Sequence, residues 1–314
     1  MRRCLQSFKK QSPIGDIVDA LWSDGAVIVQ NLVARDTMSR LTAKLEPVLA
    51  SEDPGGGEFF GYRKKSVGRL FARGREFSEH LLMNERVLEI ADATLLPEFP
   101  MAVTAPKQKR AQTVDNAEWA TYKKEREISP SSHIGPNCHH YRVNVSGALQ
   151  VWPGGVNQPL HREMGNYRPY LQHDPHRPEW ILAINWAGTD FTATNGATRL
   201  ALGSHRWNDG REAQEHEVEK AIMAKGSAVF WLGKTLHGLG ANTDTKPRTG
   251  ILFTMVVNWL ATEENQFLAV PPDLARGLPE KAQQLLGYRS SPTLGWVGGL
   301  DQENMLLDGK SGPL

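Results

Sequence analysis

The stretch QPLHREMGNY (158–167) sets a histidine and a carboxylate two positions apart, His161 and Glu163. On an extended strand such a pair projects from one face and can converge on one ion, whereas on a helix it diverges. Pro159 and the glycine-rich GGVNQP predict a strand edge or the loop beside it. Taken alone, the pair is a weak signal, and a surface histidine near an acid is the commoner case. A third donor is His237, in the glycine-flanked turn of WLGKTLHGLGANTD just after a β-rich segment, where the backbone can approach a ligand closely. Eleven residues on, Arg248 heads the next apolar strand. A buried guanidinium needs a partner. A carboxylate held in its planar fork is one partner, and a structural Asp or Glu is the other. Two imidazoles, one carboxylate and open positions form the ligand set of a non-heme Fe(II) oxygenase. Zinc accepts the same donors. The arginine, which a zinc hydrolase does not need there, favours iron.

The elements that must position these residues are mostly strands. YRVNVSGALQVW alternates, and WILAINWAG, GSAVFWLG and GILFTMVVNWL are short β-rich runs separated by Gly, Asn and Asp turns. They predict a β-sandwich or barrel over 140–262. Ahead of it, IGDIVDALWSD predicts a helix packing Ile17, Leu21 and Trp22, stopped at Gly25, and AVIVQNLV predicts a buried strand. Asp36 is expected to cap a helix ending near Pro47, and FSEHLLMNERVLEIADATLL has a helical period. PEKAQQLLGYR predicts a short helix after the barrel. The expected organisation is one catalytic domain over 1–314. It comprises a helical support region with lid segments (1–139), the β core (140–262), and a C-terminal helix and tail (263–314). The lid segments are expected at Tyr62–Arg73 and in the polar, charged stretch 105–139, for which a solvated loop is the alternative.

A formal charge of +1 gives no bulk attraction to nucleic acid or to a membrane surface. Two cysteines, Cys4 and Cys138, make neither a disulfide framework nor a zinc cluster, which fits a reducing compartment. MRRCLQSFKKQSP leads into no apolar signal region, and no apolar run reaches the roughly 18 residues of a membrane span. The expectation is a soluble, cytoplasmic protein.

NGATRLALGSHRW (195–207) resembles the N-G-A-x-x-x-x-P-G-S-H segment of the phytanoyl-CoA dioxygenase family. QPLHRE resembles its Q-x-L-H-x-D, and HGLGAN with an arginine eleven residues after the histidine completes the signature. DGAVIVQNL and LLGYRSSPTLGWVGGLD extend the resemblance over most of the chain, and it is nearest to fungal-type members that oxidise meroterpenoids and alkaloids. The resemblance implies a mainly β protein with flanking helices around a double-stranded β-helix (jelly-roll, cupin-like) core. It also implies Fe(II), 2-oxoglutarate and O2, with ascorbate as an optional support. By motif, His161, Glu163 and His237 would hold iron, and Arg248 would pair with the distal carboxylate of 2-oxoglutarate. Gln158 and Thr198 would add cosubstrate contacts; for Thr198 the alternative is a turn hydroxyl satisfying its own backbone. Asn195, Gly196, Gly203 and Ser204 read as turn-formers, His205 as a structural hydrogen-bonder, and His139 and His140 as surface or supporting groups.

Three positions depart from the family pattern. Glu163 stands where aspartate is usual and adds a methylene between backbone and metal. Leu202 replaces a proline. Gly250 stands where a serine or threonine often follows the arginine by two, which removes a hydroxyl contact. The expected activity is oxidation of a small, hydrophobic natural-product intermediate by hydroxylation, desaturation or rearrangement, with release of succinate and CO2. Phe59, Phe60, Trp152 and Trp231 are expected near the mouth, each with ordinary core packing as its alternative. The carboxylate at 163 argues against halogenation. Two other readings are a non-catalytic or partner subunit of the same fold and a zinc-dependent jelly-roll isomerase or hydrolase. Homodimers are common in the family, so a homodimer fits the resemblance.

Overall fold

The computed structural model describes residues 3–57, 59, 62–96, 140–167, 174, 178–208, 210–289 and 306. Cys138, His139, Phe60 and the expected cover at 105–139 lie outside the described residues.

Apolar residues of IGDIVDALWSD recur at helical spacing, and helix α1 (Ile14–Asp24) buries Ile17, Ala20 and Leu21. It stops at Gly25, whose φ of 84° favours glycine and whose N–H returns to Leu21 O. Strand β1 (Gln6–Lys9) runs parallel to β2 (Ala26–Gln30), and β2 leads into helix α2 (Arg35–Ser51). Asp36 lies in the first turn of α2 rather than at its cap, which is Ala34. Pro47 does not end the helix as expected. The turn beyond it buries Leu49 as Leu45 is buried before it, and that apolar contact carries the helix past the lost hydrogen bond. After β3 (Lys64–Val67), the helical period of 77–96 is broken. Helix α3 (Arg75–Phe77) runs into a π turn (Ser78–Leu82), and helix α4 (Glu85–Leu95) follows.

The remaining strands are β4 (Tyr141–Val151), β5 (Ile181–Ala187), β6 (Arg199–Ala201), β7 (Val218–Lys220), β8 (Ala228–Leu232), β9 (His237–Gly238) and β10 (Arg248–Val257). The major sheet has the order β1-β2-β8-β5-β10-β4-β3, and a smaller sheet has the order β7-β6-β9. The two sheets make the jelly roll. Strands β1–β3, from the region read as helical support, complete the major sheet. The short helices α5 (Gln266–Ala269), α6 (Pro272–Ala275) and α7 (Glu280–Leu285) follow, α7 where PEKAQQLLGYR predicted one.

The central strands are buried on both faces, which explains their nearly continuous apolar character. Leu182, Ile184 and Trp186 of β5 face a core shared with α1, α2 and α4, as do Ala228, Phe230 and Leu232 of β8 and Ile251, Phe253 and Met255 of β10. The alternate residues Ala183, Ala187, Val229 and Trp231 face a second core between the sheets. The site opens from this inner side. Tyr62–Arg73, expected as a lid, is instead wall. Lys64–Val67 pair with β4, and Leu70 and Phe71 are buried in the outer core. Among the described residues, no helix is long and apolar enough to cross a membrane.

Candidate metal centre

His161, Glu163 and His237 each offer one ligand atom, and these atoms lie within 4.8 Å of one another. Backbone pairing brings them together. His161 N donates to His237 O and His237 N to His161 O, both at 2.9 Å, which makes a two-residue antiparallel bridge between the loop after β4 and β9. Glu163 N donates to Gly233 O at 3.0 Å, and Glu163 opens a 3₁₀ turn (Glu163–Tyr167). The pair 161/163 thus converges from a bridge and a turn, not from a continuous strand.

The same device orients both imidazoles. Nδ1 of His161 meets Pro159 O at 3.1 Å, and Nδ1 of His237 meets Thr235 O at 3.1 Å. A carbonyl only accepts, so Nδ1 carries a proton and Nε2 is the nitrogen left to face the site. His237 Nε2 lies 3.0 Å from Glu163 Oε1, an approach that a proton or a metal ion between them satisfies. Two imidazoles and one carboxylate, with outer hydrogen bonds fixing the orientation of the rings, fit a divalent transition metal. Burial pushes His161 down to about 4, with the neighbouring His237 adding to the shift. Burial raises the Glu163 carboxyl, and attraction to His237 and His161 outweighs it, so Glu163 is held below the usual carboxylate range.

Further supports come from residues read as turn-formers or left unassigned. Ser204 Oγ accepts from Leu236 N at 2.8 Å, which fixes the residue before His237. Thr235 Oγ1 donates to Gly25 O at 2.8 Å. A Cβ at Gly25 would come within 2.5 Å of His205 Nδ1, so glycine is required there for close approach as well as for its φ. His205 is the structural hydrogen-bonder expected: its Nε2 meets Trp22 O at 3.0 Å, and burial pushes it down to about 4. His140 shares a hydrogen bond with Gln284 at 3.1 Å, in a supporting role.

Arg248 is fully buried. One terminal nitrogen, Nη2, donates to Gly196 O, while Nε and Nη1 have no hydrogen-bond partner. Its guanidinium lies over Phe191, 4.4 Å from the ring centre, and burial alone pushes its pKa down to about 9. Among the described residues no carboxylate pairs with it. The structural ion pair left open by the sequence is therefore absent there. Lys64 and Arg248 both pair with Val151 in register, so all three face the inner side. The Lys64 ammonium is lowered by burial and by the Arg248 charge.

Thr198 accepts a hydrogen bond from Asn185 Nδ2 at 3.1 Å instead of satisfying its own backbone. Gln158 uses both ends of its amide on the protein: Nε2 donates to Phe59 O at 3.0 Å, and Oε1 accepts from Leu239 N at 3.1 Å. It braces the loop beside His161. Phe59 stands edge-on to His161 at 4.8 Å, and Trp231 lies 4.8 Å from His237, so both line the centre as expected. Trp152 does not. Its indole donates to Gln150 Oε1 at 2.9 Å and lines a separate surface cleft with Ala50–Pro54, Arg63 and Lys65. Sequence reasoning missed Asn185, whose signal was a lone amide in the middle of an apolar strand.

Residues 22–250 match the family model described as Phytanoyl-CoA dioxygenase (PhyH). The chain belongs to the phytanoyl-CoA dioxygenase family. Among the proteins similar to this chain, the dioxygenase FUM3 of Gibberella moniliformis is 27% identical over 296 residues, covering 92% of this chain and 87% of its own. The dioxygenase ALT11 of Alternaria alternata is 28% identical over 309 residues, covering 95% and 91%. HygX from Streptomyces hygroscopicus, solved with nickel, 2-oxoglutarate and hygromycin B bound, superposes with a TM-score of 0.53. It is 13% identical, over 84% of this chain and 94% of its own. The α-ketoglutarate-dependent epimerase SnoN of nogalamycin biosynthesis gives a TM-score of 0.52 at 14% identity, over 77% and 80%. At these identities the two solved structures show a shared fold.

Proposed function

We propose that this member of the family is an Fe(II)- and 2-oxoglutarate-dependent dioxygenase that oxidises a small, hydrophobic natural-product intermediate and releases succinate and CO2. The observation that carries the reading is a conjunction on one inner wall. Two imidazoles and a carboxylate bring their ligand atoms to one point, and a buried guanidinium without a carboxylate lies on the same side. A zinc hydrolase would need the first and not the second. The fungal relatives named as dioxygenases support the reaction class. SnoN with Fe3+ and α-ketoglutarate, and HygX with nickel and 2-oxoglutarate, support the cofactors.

In this reading His161, Glu163 and His237 hold the metal, and Arg248 holds the distal carboxylate of the cosubstrate. Iron with 2-oxoglutarate and dioxygen supplies the oxidation of an unactivated C–H bond, coupled to decarboxylation of the cosubstrate to succinate. The protein's own contribution is placement. The carbonyls of Pro159 and Thr235 fix both rings with Nε2 aimed at the metal. Phe59 and Trp231 present apolar faces beside the histidines, excluding water and selecting an apolar substrate. Glu163 fills the position that halogenation would leave to chloride. The three N-terminal strands complete the same sheet, which supports a single catalytic domain over 1–314. The balanced charge supports a small-molecule partner rather than nucleic acid or a membrane surface, and the two cysteines fit a reducing, cytoplasmic compartment.

The test is cosubstrate turnover. Apoprotein reconstituted with Fe(II) is expected to form succinate from 2-oxoglutarate in air, and to stop when the iron is replaced by zinc. Folded, iron-loaded protein that forms no succinate contradicts the proposal.

A further inference from the structure

The inner face of β5 and β10 carries polar atoms that the hydrogen-bond network leaves unused. Asn185 Oδ1 and Arg248 Nε and Nη1 are buried without a partner, on residues only 2% and 0% exposed. The other end of the Asn185 amide donates to Thr198 Oγ1 at 3.1 Å. Gly250 marks the point where the two side chains meet. A Cβ there would come within 2.7 Å of Asn185 Oδ1 and 2.9 Å of Arg248 Nη1. The missing side chain at 250 is what lets an amide and a guanidinium share one small space.

A buried carbonyl oxygen with no donor is costly. The oxygen and nitrogen of an amide are assigned by their surroundings, and a threonine hydroxyl donates as readily as it accepts. With the amide turned over, Thr198 donates to Asn185 Oδ1, and Asn185 Nδ2 arrives at the point beside Gly250. Two N–H donors, one of them charged, then aim at one place. Such a cradle fits a carboxylate.

We propose that Asn185, its Nδ2 turned toward Arg248, is the second donor to the distal carboxylate of 2-oxoglutarate. It occupies the space that a hydroxyl side chain at 250 would fill. This deepens the cosubstrate reading above and rests on it. Thr198 becomes a positioning residue that acts through the Asn185 amide.

The experiment is calorimetric titration of Fe(II)-loaded protein under argon with 2-oxoglutarate and, separately, with oxalate, which has a chelating end but no distal carboxylate. Asn185→Ala is expected to weaken 2-oxoglutarate about tenfold or more and to leave oxalate unchanged. Asn185→Asp keeps the shape but presents only acceptors, and is expected to lose at least as much 2-oxoglutarate affinity. Gly250→Ser alone is expected to weaken 2-oxoglutarate by crowding the amide and the guanidinium. In the double variant Asn185→Ala with Gly250→Ser, the hydroxyl enters the vacated space, and affinity is expected to recover most of the loss. Wild-type 2-oxoglutarate affinity in both Asn185 variants overturns the inference. So does a loss that falls equally on oxalate, or a double variant weaker than either single one. Wild-type protein that binds oxalate but not 2-oxoglutarate overturns the cosubstrate reading itself, and this inference with it.

Discussion

At the scale of single residues, the chemistry depends on protons held in particular places. His161 and His237 each lend Nδ1 to a carbonyl two positions earlier, so a metal would meet Nε2 atoms already oriented. Arg248 is the counterpart: a charge kept in the interior with two donor nitrogens unused. Burial lowers its pKa only to about 9, so it remains charged at neutral pH. Arg248→Ala is expected to raise the concentration of 2-oxoglutarate needed for half-maximal turnover about 100-fold, the effect of removing a charge-assisted bidentate contact. The maximal rate should fall less. An unchanged requirement for 2-oxoglutarate would refute the clamp.

At the scale of elements, the turn joining α1 to β2 supports the turn that carries His237. Gly25 lets His205 and Thr235 approach its backbone, and Thr235 in turn holds the His237 ring. His205 is buried neutral, and its pKa in the fold, about 4, lies below the ordinary value of 6.5. The sign of the linkage follows. As pH falls below 6.5 the unfolded chain takes a proton at this site and the folded chain does not, so stability present above 6.5 is lost toward pH 4. Denaturant unfolding at pH 7.5 and pH 5 should show His205→Gln losing less stability over that interval than wild type, by about 1–2 kcal/mol. Equal losses in the two proteins would show that His205 does not carry this dependence.

At the scale of the whole molecule, much of the arrangement was legible in the chain because β5, β8 and β10 are apolar runs bounded by turn residues, Arg248 opens β10, and His161, Glu163 and His237 stand in the turn-rich segments that follow β4 and β8. The misses have physical causes. A strand buried on both faces shows no alternation, so nothing marked Asn185 as inward-facing until its register with Leu252 placed it. Pro47 lies inside α2 because tertiary burial of Leu45 and Leu49 outweighs a local rule. Trp152 has the composition of a cavity residue, yet it packs with Lys65 and Gln150 outside the barrel. The lid expectation for Tyr62–Arg73 rests on position in the chain alone, and position does not reveal that Val67, Leu70 and Phe71 are buried.

The central claim is that residues 161, 163 and 237, distant in the chain, hold one ferrous ion within reach of Arg248. Anaerobic titration of apoprotein with Fe(II) and then 2-oxoglutarate tests it most directly. Wild type is expected to develop the visible charge-transfer band of the chelate at one equivalent of iron. Glu163→Asp should retain a weakened band, and Glu163→Ala should show none at wild-type iron concentrations, since a lost ligand costs at least the ~100-fold in affinity that a lost outer partner can. A folded wild-type protein without the band, or a Glu163→Ala variant with the band at full strength, would contradict the account.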